Sequence, residues 1–138
     1  MGGYQVQYKQ LRAGAEVGPA VRVDHAPSGT KAVVPEIAVD GDNVAILWRD
    51  DRSATGEDFD DLFYAHSKDG GATWSSADLR VDSLNPPGTT WRDELRVVLD
   101  GTGFSAAWGD GRSGSSDVFF VHLELGDEAN PHTSGSSR

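Results

Sequence analysis

One stretch of this chain is written twice, and that repetition limits what it can fold into more than any other feature. Val21-Arg22-Val23-Asp24 returns as Leu79-Arg80-Val81-Asp82, 58 residues on (82 − 24). Glu36 and Glu94 keep that spacing. After an expected two-residue insertion, Asp40-Gly41 matches Asp100-Gly101, and Trp48-Arg49-Asp50-Asp51-Arg52-Ser53 matches Trp108-Gly109-Asp110-Gly111-Arg112-Ser113. A loop four residues shorter in the second copy then leads Asp61-Leu62-Phe63-Tyr64-Ala65-His66 into Asp117-Val118-Phe119-Phe120-Val121-His122. A fixed period of this length means a stacked architecture in which no unit buries its apolar faces alone.

Within each copy the local signals are β. Asp40-Gly41-Asp42-Asn43 and Asp100-Gly101-Thr102-Gly103 supply the positive φ angles of tight hairpins. They join short strands at Glu36–Val39 and Val44–Trp48, and again at Leu95–Val98 and Phe104–Trp108. A third strand, Leu62–Ser67 or Val118–Leu123, is rich in aromatic and β-branched residues. No window carries a sustained helical period. The expected fold is all-β, with β-propeller blades of four antiparallel strands and about two blade-equivalents in the chain. Residues 1–125 form the propeller segment. Residues 4–24 are a half blade with strands Tyr4–Leu11 and Ala20–Asp24, residues 33–82 a complete blade, and residues 94–124 a partial one. Residues 126–138 are polar and read as a flexible tail.

Ser67-Lys68-Asp69-Gly70-Gly71-Ala72-Thr73-Trp74 fits the pattern Ser-x-Asp-x-Gly-x-Thr-Trp. Together with the repeat, it resembles the Asp-box (bacterial neuraminidase repeat) sialidase-like propeller proteins. The resemblance covers residues 4–125, although neither the first nor the last partial blade carries the box. It implies that Ser67, Asp69, Gly71, Thr73 and Trp74 serve the fold at the blade periphery, and it suggests a secreted or cell-surface protein. It does not imply catalysis. Sialidases use an arginine triad whose first member sits in an Arg-(Ile/Leu)-Pro triplet, and no such triplet occurs here. Arg52 and Arg112 belong to the repeated motif, so Trp48, Asp50, Arg52, Trp108, Asp110 and Arg112 read as a structural network. Tyr4, Tyr8 and Tyr64 lie on strand patterns and read as core. His66 and His122 recur at matching positions and read as packing or hydrogen-bonding residues rather than metal ligands.

Two segments are candidates for more. The loop 50–61 holds Asp50, Asp51, Glu57, Asp58 and Asp60, oxygen donors suited to calcium, although it lacks the alternating ligands and fixed glycine of an EF-hand loop. The other reading is a solvated loop with Asp50 and Asp61 held by Arg52. Trp91 has no counterpart in the first copy and, with Arg92 and Asp93 beside it, is a candidate ligand residue, Trp91 reading equally as a blade-packing residue. No other cofactor is expected. The chain has 22 acidic against 12 basic residues, a net charge of −10, which repels nucleic acid and anionic membranes. No apolar stretch is long enough to span a bilayer, and Met1-Gly2-Gly3-Tyr4-Gln5 shows no signal-peptide pattern. The expected function is non-catalytic binding of a glycan or a protein surface. The alternative is self-assembly, about three copies closing a propeller ring, and a sialidase-like glycosidase ranks third.

Overall fold

The computed structural model describes residues 2–82, 86–89 and 91–126. Among them are nine strands: β1 (Gln7–Arg12), β2 (Ala15–Arg22), β3 (Ala32–Asp40), β4 (Asn43–Asp50), β5 (Asp61–Ser67), β6 (Leu79–Arg80), β7 (Arg92–Asp100), β8 (Gly103–Asp110) and β9 (Asp117–Leu123). They form three antiparallel sheets in sequence order: β1-β2, β3-β4-β5-β6 and β7-β8-β9. The expected all-β class is therefore present, with no helix among the described residues.

The central strands β4 and β5 of the middle sheet are buried on both faces, because Val44 to Trp48 and Leu62 to Ala65 are apolar without interruption, whereas β3 is largely exposed. One face, with Ala45, Leu47, Leu62 and Tyr64, packs on Leu95, Phe104, Ala106 and Trp108 of the third sheet. There Tyr64 stacks on Phe104 with ring centroids 4.5 Å apart. The other face, with Ile46, Trp48, Phe63 and Ala65, meets Val6 and Val23, which flank the first sheet. Removing a ring such as Tyr64 or Trp48 from these cores would cost about 3–5 kcal/mol.

Pairing fixes which residues are equivalent. Asp50 pairs with Asp61 and Asp110 with Asp117, while Ala32 pairs with Asp50 and Arg92 with Asp110. Both β3 and β7 carry a bulge after their second residue, with Val34 at φ 52° and Glu94 at φ 50°. Arg92 therefore stands where Ala32 stands, and Arg96 where Glu36 stands. Glu36 and Glu94 are not equivalents. The two extra residues fall in the connection before β7, not inside the strand, because the shared bulge fixes the register. The first sheet obeys the same geometry: Val6 N–H donates to Asp24 at 2.6 Å, as Leu62 N–H donates to Asp82 at 3.2 Å.

Some expected boundaries move. The first hairpin turns at Ala13-Gly14, both with positive φ, and β2 begins at Ala15 rather than Ala20. Pro19 is tolerated because β2 is an edge strand, where a missing N–H leaves no ladder partner unsatisfied. Tyr4 is 65% exposed rather than core, whereas Tyr64 is fully buried. The fourth strand of the middle sheet shrinks to Leu79–Arg80. From residue 127 on, the expected tail lies outside the described residues, as do Asn85 and Thr90 of the loop before β7.

Candidate functional site

The repeated Trp-x-Asp-x-Arg motif builds the same assembly twice. Asp50 accepts from the Arg52 backbone N–H and Nε at 2.9 Å each, from Nη2 at 2.7 Å and from Trp48 Nε1 at 3.3 Å. Asp110 does the same with Arg112 and with Trp108 Nε1 at 3.2 Å. Each guanidinium then lies over a ring, Arg52 on Phe63 at 4.0 Å and Arg112 on Phe119 at 4.1 Å. Fork geometry, a buried acceptor and a ring plate together fix the strand end. Arg52 also donates to Asp78, which holds the His25 backbone, so the motif ties the middle sheet to the connection after β2.

The Ser67–Trp74 turn is closed by its own side chains. Asp69 accepts from Thr73 N–H at 2.8 Å, from Thr73 Oγ1 and from Ser67 Oγ at 2.7 Å. These bonds, the Thr73 hydroxyl first, hold its carboxyl down at about 2. Gly71 sits at φ 92°, and a Cβ there would stand 2.3 Å from the Tyr8 ring. Tyr8 donates to Gly70 O at 3.3 Å and meets Trp74 edge-on, so the turn fastens the first sheet to the second. Tyr64, the equivalent of Tyr8, accepts from Gly126 N–H at 3.2 Å.

Of the expected ligand trio, Trp91 and Asp93 are exposed and Arg92 is not. Arg92 is fully buried: Nη2 pairs with Asp82, Nε lies 3.4 Å from Asp110 Oδ2, and Nη1 donates to Asp60 O at 2.8 Å. The expectation that Arg92 meets a ligand is thereby corrected, because a desolvated guanidinium bound to two sheets presents no surface. Trp91 packs against Gly111, where a Cβ would fall 2.1 Å from the indole. The carboxylates of the expected calcium loop turn to separate partners. Among the described residues no three acidic or histidine side chains converge to hold a metal ion. Asp50 faces Arg52 and Trp48, Asp51 accepts from Lys31 N–H at 2.7 Å, and Asp60 accepts from Arg49.

What the loop does form is a cleft of about 420 Å³, at the end of the middle sheet opposite the Ser67–Trp74 turn. Lys31, Val33, Arg49, Asp51, Phe59 and Asp60 contribute to its wall. Arg49 Nε donates to Asp60 Oδ2 at 2.6 Å, and Nη1 lies 3.9 Å from Asp93. Burial pushes the Asp60 carboxyl up to about 6, against the pull of Arg49. Lys31, Arg49 and Phe59 were not singled out as binding residues from the sequence. The signal was present, since Arg49 aligns with Gly109 and so breaks the repeat.

No family model matches the chain, and no curated protein or solved structure matches it.

Proposed function

We propose that this chain is a non-catalytic β-propeller module of the Asp-box kind, working by binding a protein surface through the open face of its third sheet. The observation that carries the reading is a contrast between equivalent positions. Leu62 and Tyr64 are fully buried under the third sheet, while their equivalents Val118 and Phe120 are 83% and 62% exposed. Val98, on the same face, is 59% exposed. An apolar sheet face on a repeat unit is normally covered by the next unit, and an uncovered one marks an interaction site. The non-catalytic part rests on the arginines. Arg52, Arg80, Arg92 and Arg112 each bind carboxylates of the fold, which leaves none of them directed at a substrate.

A second copy of the chain is a further reading for the partner, favoured by Ile37 and Val39, which are exposed on the opposite side of the molecule. Against a simple head-to-tail ring stands the first hairpin, which puts exposed Gln7 where Phe63 and Phe119 stand in the other sheets. An isologous contact, with Phe120 meeting Phe120, avoids that mismatch. Light scattering across a concentration series tests the second copy, with Phe120→Asp as control. Mass should rise above 14.7 kDa for the parent and remain at 14.7 kDa for the variant. A constant 14.7 kDa for both would remove the second copy as partner. Release of fluorophore from a generic sialoside would contradict the non-catalytic reading.

A further inference from the structure

The cleft beside β3 and β4 stands apart from the open sheet face, and its chemistry is independent of it. Its lining sits where the two repeats differ. Arg49 replaces Gly109, Val33 replaces Asp93, Lys31 replaces Trp91, and the 51–60 loop is four residues longer than its counterpart. In the second repeat the matching place is filled, because Trp91 lies over Gly111. In the first it is hollow, and charged side chains share its wall with Val33, Ala54 and Phe59.

Asp60 supplies the second observation. Its side chain is 8% exposed and lines the cleft, yet Oδ1 has no hydrogen-bond partner. Its other oxygen is occupied by Arg49 through Nε and Nη2, both at 2.6 Å. A buried acceptor left unmade is costly, and a ligand donor that reaches it recovers that cost. The unsatisfied valence is an acceptor, not a donor. Exposed Glu57 and Asp58 add two more acceptors at the rim, and half-buried Phe59 adds an apolar plate. Several acceptors around one aromatic plate suit a ligand that carries hydroxyl donors on its edge and C–H groups on its face. An anion is disfavoured, because the four lining carboxylates outnumber Arg49 and Lys31.

We propose that this cleft binds a neutral, monosaccharide-sized sugar, with a hydroxyl donating to Asp60 Oδ1 and the pyranose face resting on Phe59. The volume lies at the small end of ordinary ligand pockets. Solvent does not touch Oδ1. The 56–60 stretch must therefore open for the hydroxyl to arrive, and binding should move its amide signals together.

The test is a backbone-amide NMR titration of the full chain with methyl glucoside, methyl galactoside, methyl mannoside and, as a cation control, methylamine. At least one glycoside should shift amides of residues 54–60 in a saturable way at millimolar concentration. Phe59→Ala and Ala54→Trp, which remove the plate and fill the cleft, should each weaken that binding at least tenfold with the rest of the spectrum unchanged. No saturable shift with any glycoside would overturn the proposal, as would shifts that persist in both variants. Methylamine binding without glycoside binding would overturn the sugar assignment. None of these outcomes touches Val118 or Phe120, so the open-face reading stands or falls separately.

Discussion

Asp69 and Asp60 respond to their surroundings in opposite directions, and each gives a pH signature. Asp69 is held at about 2 by Thr73 and Ser67. Its stabilisation is present above the ordinary carboxylate range near 4 and is lost as the pH falls through about 2. Asp69→Ala should lower the melting temperature at neutral pH, and the deficit should shrink between about pH 4 and pH 2. A melt identical to the parent at pH 7 would contradict the structural role of the turn. Asp60 is raised to about 6, so its contribution is present below about 4 and fades as the pH rises through 6. Chemical unfolding from pH 4 to 7 should show that downward slope, and Asp60→Asn should flatten it. A parent profile with no such slope would mean that Asp60 keeps an ordinary carboxyl.

At the scale of the element, each Trp-x-Asp-x-Arg unit pins the end of one strand pair. Removing a buried partner strands the other charge, at a cost of about 3–5 kcal/mol. Asp110→Ala should therefore unfold the chain at markedly lower denaturant. It should do so more than Asp50→Ala, because Asp110 also lies 3.4 Å from buried Arg92. Equal midpoints for the two would argue against the Arg92 link. Much of this layer is legible in the order of the residues alone. The Asp-Gly turns, the paired Trp-x-Asp-x-Arg motifs and the Ser67–Trp74 hairpin are local chemistry, and each lies where its turn residues require. What escaped depends on pairing register. The Glu36–Glu94 match followed residue identity, whereas the shared bulge at Val34 and Glu94 sets the true equivalence. Arg92 looked like a surface residue because a sequence does not reveal Asp61, Asp82 and Asp110 closing over it. The acidic loop looked like a calcium site because composition carries no information about where carboxylates point.

Over the whole molecule, the three sheets stack with Val98, Val118 and Phe120 left exposed on the outer face of the third. Val118 and Phe120 stand where Leu62 and Tyr64 are sealed, so the same substitution should have unlike effects on a covered and an uncovered face. Because His122 is the equivalent of His66, the repeat can be extended by one period by placing a second copy of residues 67–126 directly after His122. That copy supplies a sheet whose Phe104, Trp108 and Phe119 already cover Leu62 and Tyr64 in the parent. The decisive measurement is the stability change caused by Phe120→Asp in the parent and in the extended chain. It should be within about 0.5 kcal/mol in the parent, as for ordinary surface positions. In the extended chain it should reach about 3–5 kcal/mol, since the change then removes a buried ring and buries a carboxylate. A small and equal effect in both chains would contradict the claim that this face is built to be covered.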